Sequence, residues 1–441
     1  MTSPKAVAAI ALTVVLGALS LSPASASDQQ PVGDVRKVVL VGNNWDGTAT
    51  VLAPGTLRQL GRIDVIPDRE EREMQIATNP ARLAYFLAIR EMVGEGHNQY
   101  VDDMYSSNDG ELMIVSRPSY ADVVAIRLDT GAIEWRFPVA GHRADHMAIS
   151  PDGRTVVVSA STADVVHVLR VRDGRELGSF PSGGSPHESV YIDGGRKILH
   201  ASIGFVYTPL DQDVADPAKG ERVFQVVDAS TYEVLRRYDL RSELDRLGHE
   251  GMSTAVRPMT LSPDERSVYF QLSFFHGFVK LDLRTGRIQR IQRLPNLVPD
   301  TPREQYLLDS AHHGIAMDPR GTKLCVAGTI SDYATVVDAR TWDRGRLLRK
   351  ADGKPYWVTQ SADGRHCYIS WSGTDQVAKI SYRTGRIVDT VPVGDHPQRI
   401  RTAFVRRDWV AGLPDHEPAD DVESFPLAAA LARVVSWSDH G

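Results

Sequence analysis

The stretch from Asp145 to Gly184, DHMAISPDGRTVVVSASTADVVHVLRVRDGRELGSFPSGG, constrains the fold more than any other part of the chain. It reads as four short strands, at 146–150, 155–159, 165–171 and 176–180. Ser150-Pro151-Asp152-Gly153 joins the first two, and Asp173-Gly174 joins the last two. Proline at the second turn position fixes φ, and glycine at the fourth permits the backbone that a tight hairpin needs. Two hairpins in series give an antiparallel meander of about 40 residues. Such a sheet cannot bury both faces alone, so it must stack on copies of itself.

The copies recur along the chain. Residues 101–139 repeat the set around Ser107-Asn108-Asp109-Gly110 and Asp129-Thr130-Gly131. A set with a degraded first turn, Ile192-Asp193-Gly194-Gly195, follows the template. Three more carry Ser262-Pro263-Asp264, Asp318-Pro319-Arg320-Gly321 and Ser361-Ala362-Asp363-Gly364. Near the start, 37–41, 48–52 and 60–66 give three strands with no first strand before them, and 400–405 gives one strand after the last set. The lone strand completes the three. The spacing predicts an all-β, seven-bladed β-propeller over 27–405 with a split closing blade, an arrangement that leaves no open sheet edge in the ring.

The first residues hold Lys5, an apolar run over 6–21 and Ala24-Ser25-Ala26, the pattern of a signal peptide cut after Ala26. No cysteine sits at the cut and no later apolar run is long enough to span a membrane, so a secreted protein is expected. A net charge of −6 shows no basic excess and argues against nucleic acid as a partner. A monomer is expected. The tail 406–441, with a helical pattern over 428–435, lies outside the ring.

The Ser-Pro-Asp-Gly turn, the Val156-Val157-Val158 run after it, and the Thr-Gly turn before a last strand (Thr130-Gly131, Thr285-Gly286) resemble the YVTN-repeat propellers, YncE-like and lactonase-like. The resemblance covers 36–405. It implies the fold well and the function poorly, since similar propellers serve as hydrolases, lyases and binding proteins. Streptogramin-type lyases and lactonases on similar propellers use the axial region, and the copper centre of nitrous oxide reductase has a histidine ring there; none of their residues carries over one to one. Thr130-Gly131-Ala132-Ile133-Glu134-Trp135 looks like the tryptophan-docking turn of quinoprotein propellers, but in one blade only, so PQQ is not expected.

Four insertions break the spacing: 67–98, where Ala81, Leu83, Ala84, Phe86, Leu87 and Met92 fall near helical period; 207–221; 240–254, with Ser242 as a candidate N-cap; and 295–310. All should emerge on one face of the disc, over one mouth of the central channel, where binding usually sits. Aligning blades on the first turn places equivalent pairs at the start of each innermost strand: Asp102-Asp103, Asp145-His146, His187-Glu188, Arg257-Pro258, His313-Gly314 preceded by His312, Tyr356-Trp357, and His396-Pro397. His276, with Phe275, is placed in a loop at the wall of the same pocket.

Neutral imidazoles and carboxylates converging from separate blades suit a divalent metal, which can polarise a carbonyl or activate water. The candidate ligands are His146, His187, His312, His313 and His396, in a pocket with Asp102, Asp103, Asp145, Glu188, Arg257, Tyr356, Trp357 and His276. The structural alternative is a polar channel whose side chains satisfy one another. Two functions therefore stand open: an exported lyase or hydrolase acting on a small polar molecule, or a non-catalytic binding or scaffold propeller that presents its rim to a cell-surface partner. No G-x-S-x-G, P-loop, dinucleotide fingerprint or H-E-x-x-H occurs. Cys325 and Cys367 fall on the second strands of neighbouring blades, and a sheet spacing of about 10 Å predicts two buried free thiols there.

Overall fold

The computed structural model describes residues 29–205, 218–306, 308 and 310–409. Within them, twenty-eight strands numbered β1 to β28 in chain order form seven four-stranded antiparallel sheets. The protein is a seven-bladed β-propeller. Six blades are simple meanders, and the seventh has the order β28-β1-β2-β3, so its innermost strand is the last strand among the described residues. There β28 (Pro397–Arg406) pairs with β1 (Val35–Asn43), which continues into β2 (Thr48–Leu52) and β3 (Gln59–Asp64).

The innermost strands ring the axis: β28, β4 (Met104–Ser106), β8 (Ala144–Ile149), β12 (Pro186–Ile192), β16 (Val256–Leu261), β20 (Ile315–Met317) and β24 (Pro355–Gln360). Apolar residues from facing sheets fill the wedges between blades, as where Met147, Val156 and Val158 of one blade meet Ile114, Val123 and Ala125 of the one before. The Ser-Pro-Asp-Gly turns close the opposite face. Ser150 Oγ donates to Asp152 Oδ1 at 2.6 Å and accepts Thr155 N–H at 3.0 Å, and Gly153 takes φ 68°. Trp135 docks on the next blade: its Nε1 donates to Val171 O at 3.0 Å, and a Cβ on Gly174 would lie 2.4 Å from the indole.

Three helices interrupt the repeat among the described residues. α1 (Arg69–Ala77) was not legible from hydrophobic spacing, because charge holds it. Fully buried Arg117 binds Asp68 at the foot of α1 and Asp122 of its own blade, and buried Arg72 of α1 reaches Asp122 and Tyr120 O. α2 (Pro80–Met92) has Asn79 as N-cap, accepting Arg82 N–H, and buries Phe86 and Ile89. α3 (Leu240–Arg246) is capped by Asp239, which accepts Ser242 N–H at 2.9 Å, so the cap lies three residues before the Ser242 expected from sequence. No helix among the described residues is long and apolar enough to cross a membrane. The 207–221 insertion is described only from 218 onward, and the 428–435 pattern lies outside the described residues.

The expectation of free thiols is corrected. Cys325 on β21 (Lys323–Gly328) and Cys367 on β25 (His366–Trp371) form a disulfide with Cα atoms 6.5 Å apart. A spacing of about 10 Å holds for parallel faces. Propeller blades instead form a wedge that narrows toward the axis, and Ala316, Ala327, Ala334 and Ala378 keep this wedge thin.

Ending the chain at Asp395 removes β28 and leaves β1 and two neighbouring blades without their inner partner. That truncation should self-associate and melt at a lower temperature; a monomer with unchanged melting would contradict the closure. Thiol titration of the unfolded, unreduced protein should find no free thiol. Replacing both cysteines by serine should cost about 3–4 kcal/mol of stability by loop closure, measured by denaturant unfolding.

Candidate functional site

A β-bulge at the start of every innermost strand builds the site. In five blades the inner ladder skips so that two residues face one: Asp145-His146, His187-Glu188, Arg257-Pro258, Tyr356-Trp357 and Gln398-Arg399. Two more follow the same pattern by hydrogen bonding. Ser116 accepts from Asp102 N and donates its N–H to Asp103 O, while Ala327 does so with His313 N and Gly314 O. A bulge re-aims side chains out of the regular alternation, and here it turns consecutive residues toward the axis.

The residues facing the bulges also tie blades together. Ser159 Oγ donates to His187 O of the next blade at 2.8 Å, Ser370 Oγ donates to Gln398 O at 2.9 Å, and Gln271 Nε2 donates to Gly314 O at 3.3 Å.

His146, His187 and His313, from three blades, bring ligand atoms within 4.8 Å of one another, and Asp102, Asp145 and His146 form a second such group that shares His146. All five are buried. The rings of His146 and His187 lie 3.6 Å apart, and His313 stacks on Tyr356 at 3.8 Å. His146 Nδ1 lies 2.6 Å from Glu188 Oε2, while its Nε2 is 3.6 Å from Asp145 Oδ1 and 3.9 Å from Asp102 Oδ2. His187 Nδ1 and both nitrogens of His313 have no hydrogen-bond partner.

Burial holds all three imidazoles well below the usual histidine range, and the charge of Arg399 (with Arg257 for His187 and His313) pushes the same way. They are neutral at neutral pH. Burial raises Asp145 and Asp102, which are hydrogen-bonded to each other, so this pair retains a proton. Glu188 is pushed up to about 7 by burial, against the pull of Arg399 and Arg401.

Above this group lies a cavity of about 50 Å³ lined by Asp102, Asp145, His146, His187, Arg257 and Tyr356, with Tyr85, Ile89 and Val93 of the α2 insertion and Leu308 of the 295–310 insertion as its cover. Below it a wider cavity of about 290 Å³ opens toward the turn face, reaching up to Glu188, Trp357 and Arg401.

The expected residues do not all meet. Asp102, Asp145, Glu188, Arg257, Tyr356 and Trp357 surround the three histidines. Asp103 is engaged structurally, accepting Arg401 Nε at 2.9 Å and Nη2 at 2.7 Å and Met147 N–H at 3.1 Å. His312 and His276 form a separate pair: their rings are 5.8 Å apart, His312 Nε2 lies 3.1 Å from Tyr333 OH, and His276 Nε2 lies 2.9 Å from Tyr306 OH.

His396 is also elsewhere. It takes φ 51° just before β28 and stacks on Trp45 at 3.7 Å, with His97 on the other face of the indole at 3.8 Å. The closing blade contributes Gln398-Arg399 to the ring in place of His396-Pro397. Sequence reasoning missed Arg399, Arg401 and Arg143, the last of these also lining the upper cavity.

No protein-family model matches the sequence, and no curated protein matches it. Among solved structures, hydrazine synthase from Kuenenia stuttgartiensis is similar in fold, with a TM-score of 0.50 and 16% identity, covering 67% of this chain and 88% of that chain. At that identity the likeness shows the propeller fold alone.

His200, on the second strand of its blade, sits between Ser182 Oγ at 2.7 Å and Ser189 Oγ at 2.9 Å, and burial lowers it to about 3. Its unfolded value is near 6.5. The stability it contributes is therefore present above that pH and lost as pH falls toward 3, because the unfolded chain takes up a proton that the fold refuses. His200→Gln should flatten the fall in melting temperature between pH 6.5 and 4 relative to the native protein; parallel curves would contradict this.

Proposed function

We propose that this chain is an exported propeller of the YVTN-repeat type that holds one divalent metal through His146, His187 and His313 and acts there as a metal-assisted lyase or hydrolase on a small polar molecule. The observation that carries the reading is the meeting of three neutral, buried imidazoles from three blades, of which His187 Nδ1 and both nitrogens of His313 have no hydrogen-bond partner among the described residues. Buried polar atoms are ordinarily paired, and a cation among these nitrogens would pair them, which supports the reading. Both cysteines are in a disulfide, so the donors are nitrogen and oxygen, a set that suits zinc, copper or a similar ion. A bound ion of this kind polarises a carbonyl or acidifies water.

The remaining parts fit that chemistry. With its proton on Nδ1, His146 donates to Glu188 and leaves the Nε2 lone pair for the ion, the usual support for a metal-bound histidine. The Asp102–Asp145 pair, 3.6–3.9 Å from His146 Nε2, holds a proton at neutral pH and can deliver or accept it beside the ion. The disulfide and the leader pattern both suit an oxidising compartment outside the cytoplasm.

Equilibrium dialysis of the purified mature protein against zinc should give one ion per chain. His187→Ala should abolish this without unfolding the ring, and Glu188→Gln should weaken it roughly 10- to 100-fold. A folded, metal-free native protein after dialysis would instead favour the non-catalytic, rim-binding reading.

A further inference from the structure

Four arginines surround the axial group, and three of them are set against acceptors. Arg401 grips Asp103, Arg399 faces Asp102 and Glu188, and Arg257 donates to Ser273 Oγ at 2.9 Å and to Leu308 O. Arg143, just before β8, differs. It lines the upper cavity, its Nη1 donates to Gln99 Oε1, and its other nitrogens donate to no described residue. It forms no salt bridge among the described residues, and Asp145 and Asp102 act on its charge only from longer range. A guanidinium keeps its charge and presents five N–H donors in a planar fork.

A second unspent group stands beside it. Ser161 donates its backbone N–H to Arg143 O at 3.1 Å, which puts the two residues side by side where β8 meets β9 (Thr155–Ala160). Ser161 lines the same cavity and is 5% exposed, yet its Oγ has no hydrogen-bond partner among the described residues. Buried hydroxyls are ordinarily paired. Tyr356 and Gln398, from two other blades, also line the cavity, and their side-chain polar atoms bond to no described residue. Each of these groups can donate, and one is a cation without a close counter-ion. What completes them is a negatively charged acceptor.

There is space for it between Arg143 and the histidines, because the cavity of about 50 Å³ is lined by Arg143 and Ser161 together with His146 and His187. Asp102 and Asp145 lie at its floor, against Arg399 and His146. Its cover is apolar, made by Ile89, Val93 and Leu308 with the ring of Tyr85. A cavity of this size holds a few waters or a molecule of roughly four heavy atoms.

We infer that the upper cavity binds a short-chain carboxylate, with its charged end on Arg143 and Ser161 and its alkyl end under the α2 cover. The two-pronged donation that a carboxylate accepts is what arginine provides and lysine does not. Binding of this kind needs no ion. Only the link to catalysis rests on the metal reading above, whose small molecule would then be a carboxylic acid held beside the histidines.

The test is calorimetric titration of the mature protein, first stripped of metal with a chelator, with acetate and with its neutral isostere acetamide. The native protein should bind acetate saturably, one per chain, and acetamide more weakly by about tenfold or more. Arg143→Gln should weaken acetate by a similar factor and erase the preference over acetamide. Arg143→Lys, which keeps the charge and loses the fork, serves the comparison if the glutamine variant fails to fold. Ser161→Ala should weaken acetate by roughly two- to tenfold. No saturable acetate binding, equal binding of acetate and acetamide, or unchanged acetate binding in the Arg143 variant overturns the inference. All of these outcomes leave the metal reading standing, since zinc dialysis decides that separately.

Discussion

Everything at the axis depends on one backbone irregularity repeated seven times. A regular strand alternates its side chains, so each innermost strand would present only every second residue to the channel. The bulge at its start presents two in succession, and seven blades therefore supply two layers of side chains at one height. The residues opposite the bulges are mostly small, Gly42, Ser116, Ser159, Ala201, Ala327 and Ser370, and three of the blades are joined to the next by a side chain from that position. The site is thus built into the strands rather than carried on loops, which fixes its geometry independently of the insertions above it.

That rigidity permits a density of buried charge that would otherwise be unstable. Asp102, Asp103, Asp145 and Glu188 face Arg399 and Arg401 in a space from which water is largely excluded. The arrangement separates the carboxylates by role. Asp103 is locked by a two-pronged contact with Arg401, Glu188 supports His146, and the Asp102–Asp145 pair is left to hold a proton. Arg401 and Arg399 both lie against Trp357, so a single indole organises the cationic floor under the histidines.

The propeller was legible because the turn recurs in phase, and the same phase located the bulges. In six blades the second bulge residue stands four positions before the first residue of the turn, as His146 does before Ser150 and Trp357 before Ser361. The closing blade has no such turn after its inner strand, because β28 pairs with β1 from the other end of the ring rather than turning back into a following strand. Counting from a turn therefore cannot reach its bulge, which holds Gln398-Arg399 rather than His396-Pro397. His312 adjoins His313 in sequence, yet only His313 stands in the bulge, and His312 packs against Tyr333 and His276. The disulfide is not legible from the spacing of flat sheets, because the blades form a wedge that brings the two strands to a Cα separation of 6.5 Å. α1 escaped notice because its anchor is the ion pairing of Asp68 and Arg72, which leaves no apolar stripe to read. Hydrophobic pattern and turn chemistry thus reported the scaffold well, while the electrostatic partners at the axis, which come from distant blades, became visible only once the ring was closed.

The central claim is that three imidazoles from separate blades form one metal seat. X-ray absorption on the zinc-loaded mature protein tests it directly. The account predicts a first shell of nitrogen and oxygen at about 2.0–2.1 Å, with the outer-shell scattering of three imidazole rings and no sulfur. A shell without imidazole scattering, or one built of carboxylate and water oxygens alone, would contradict it.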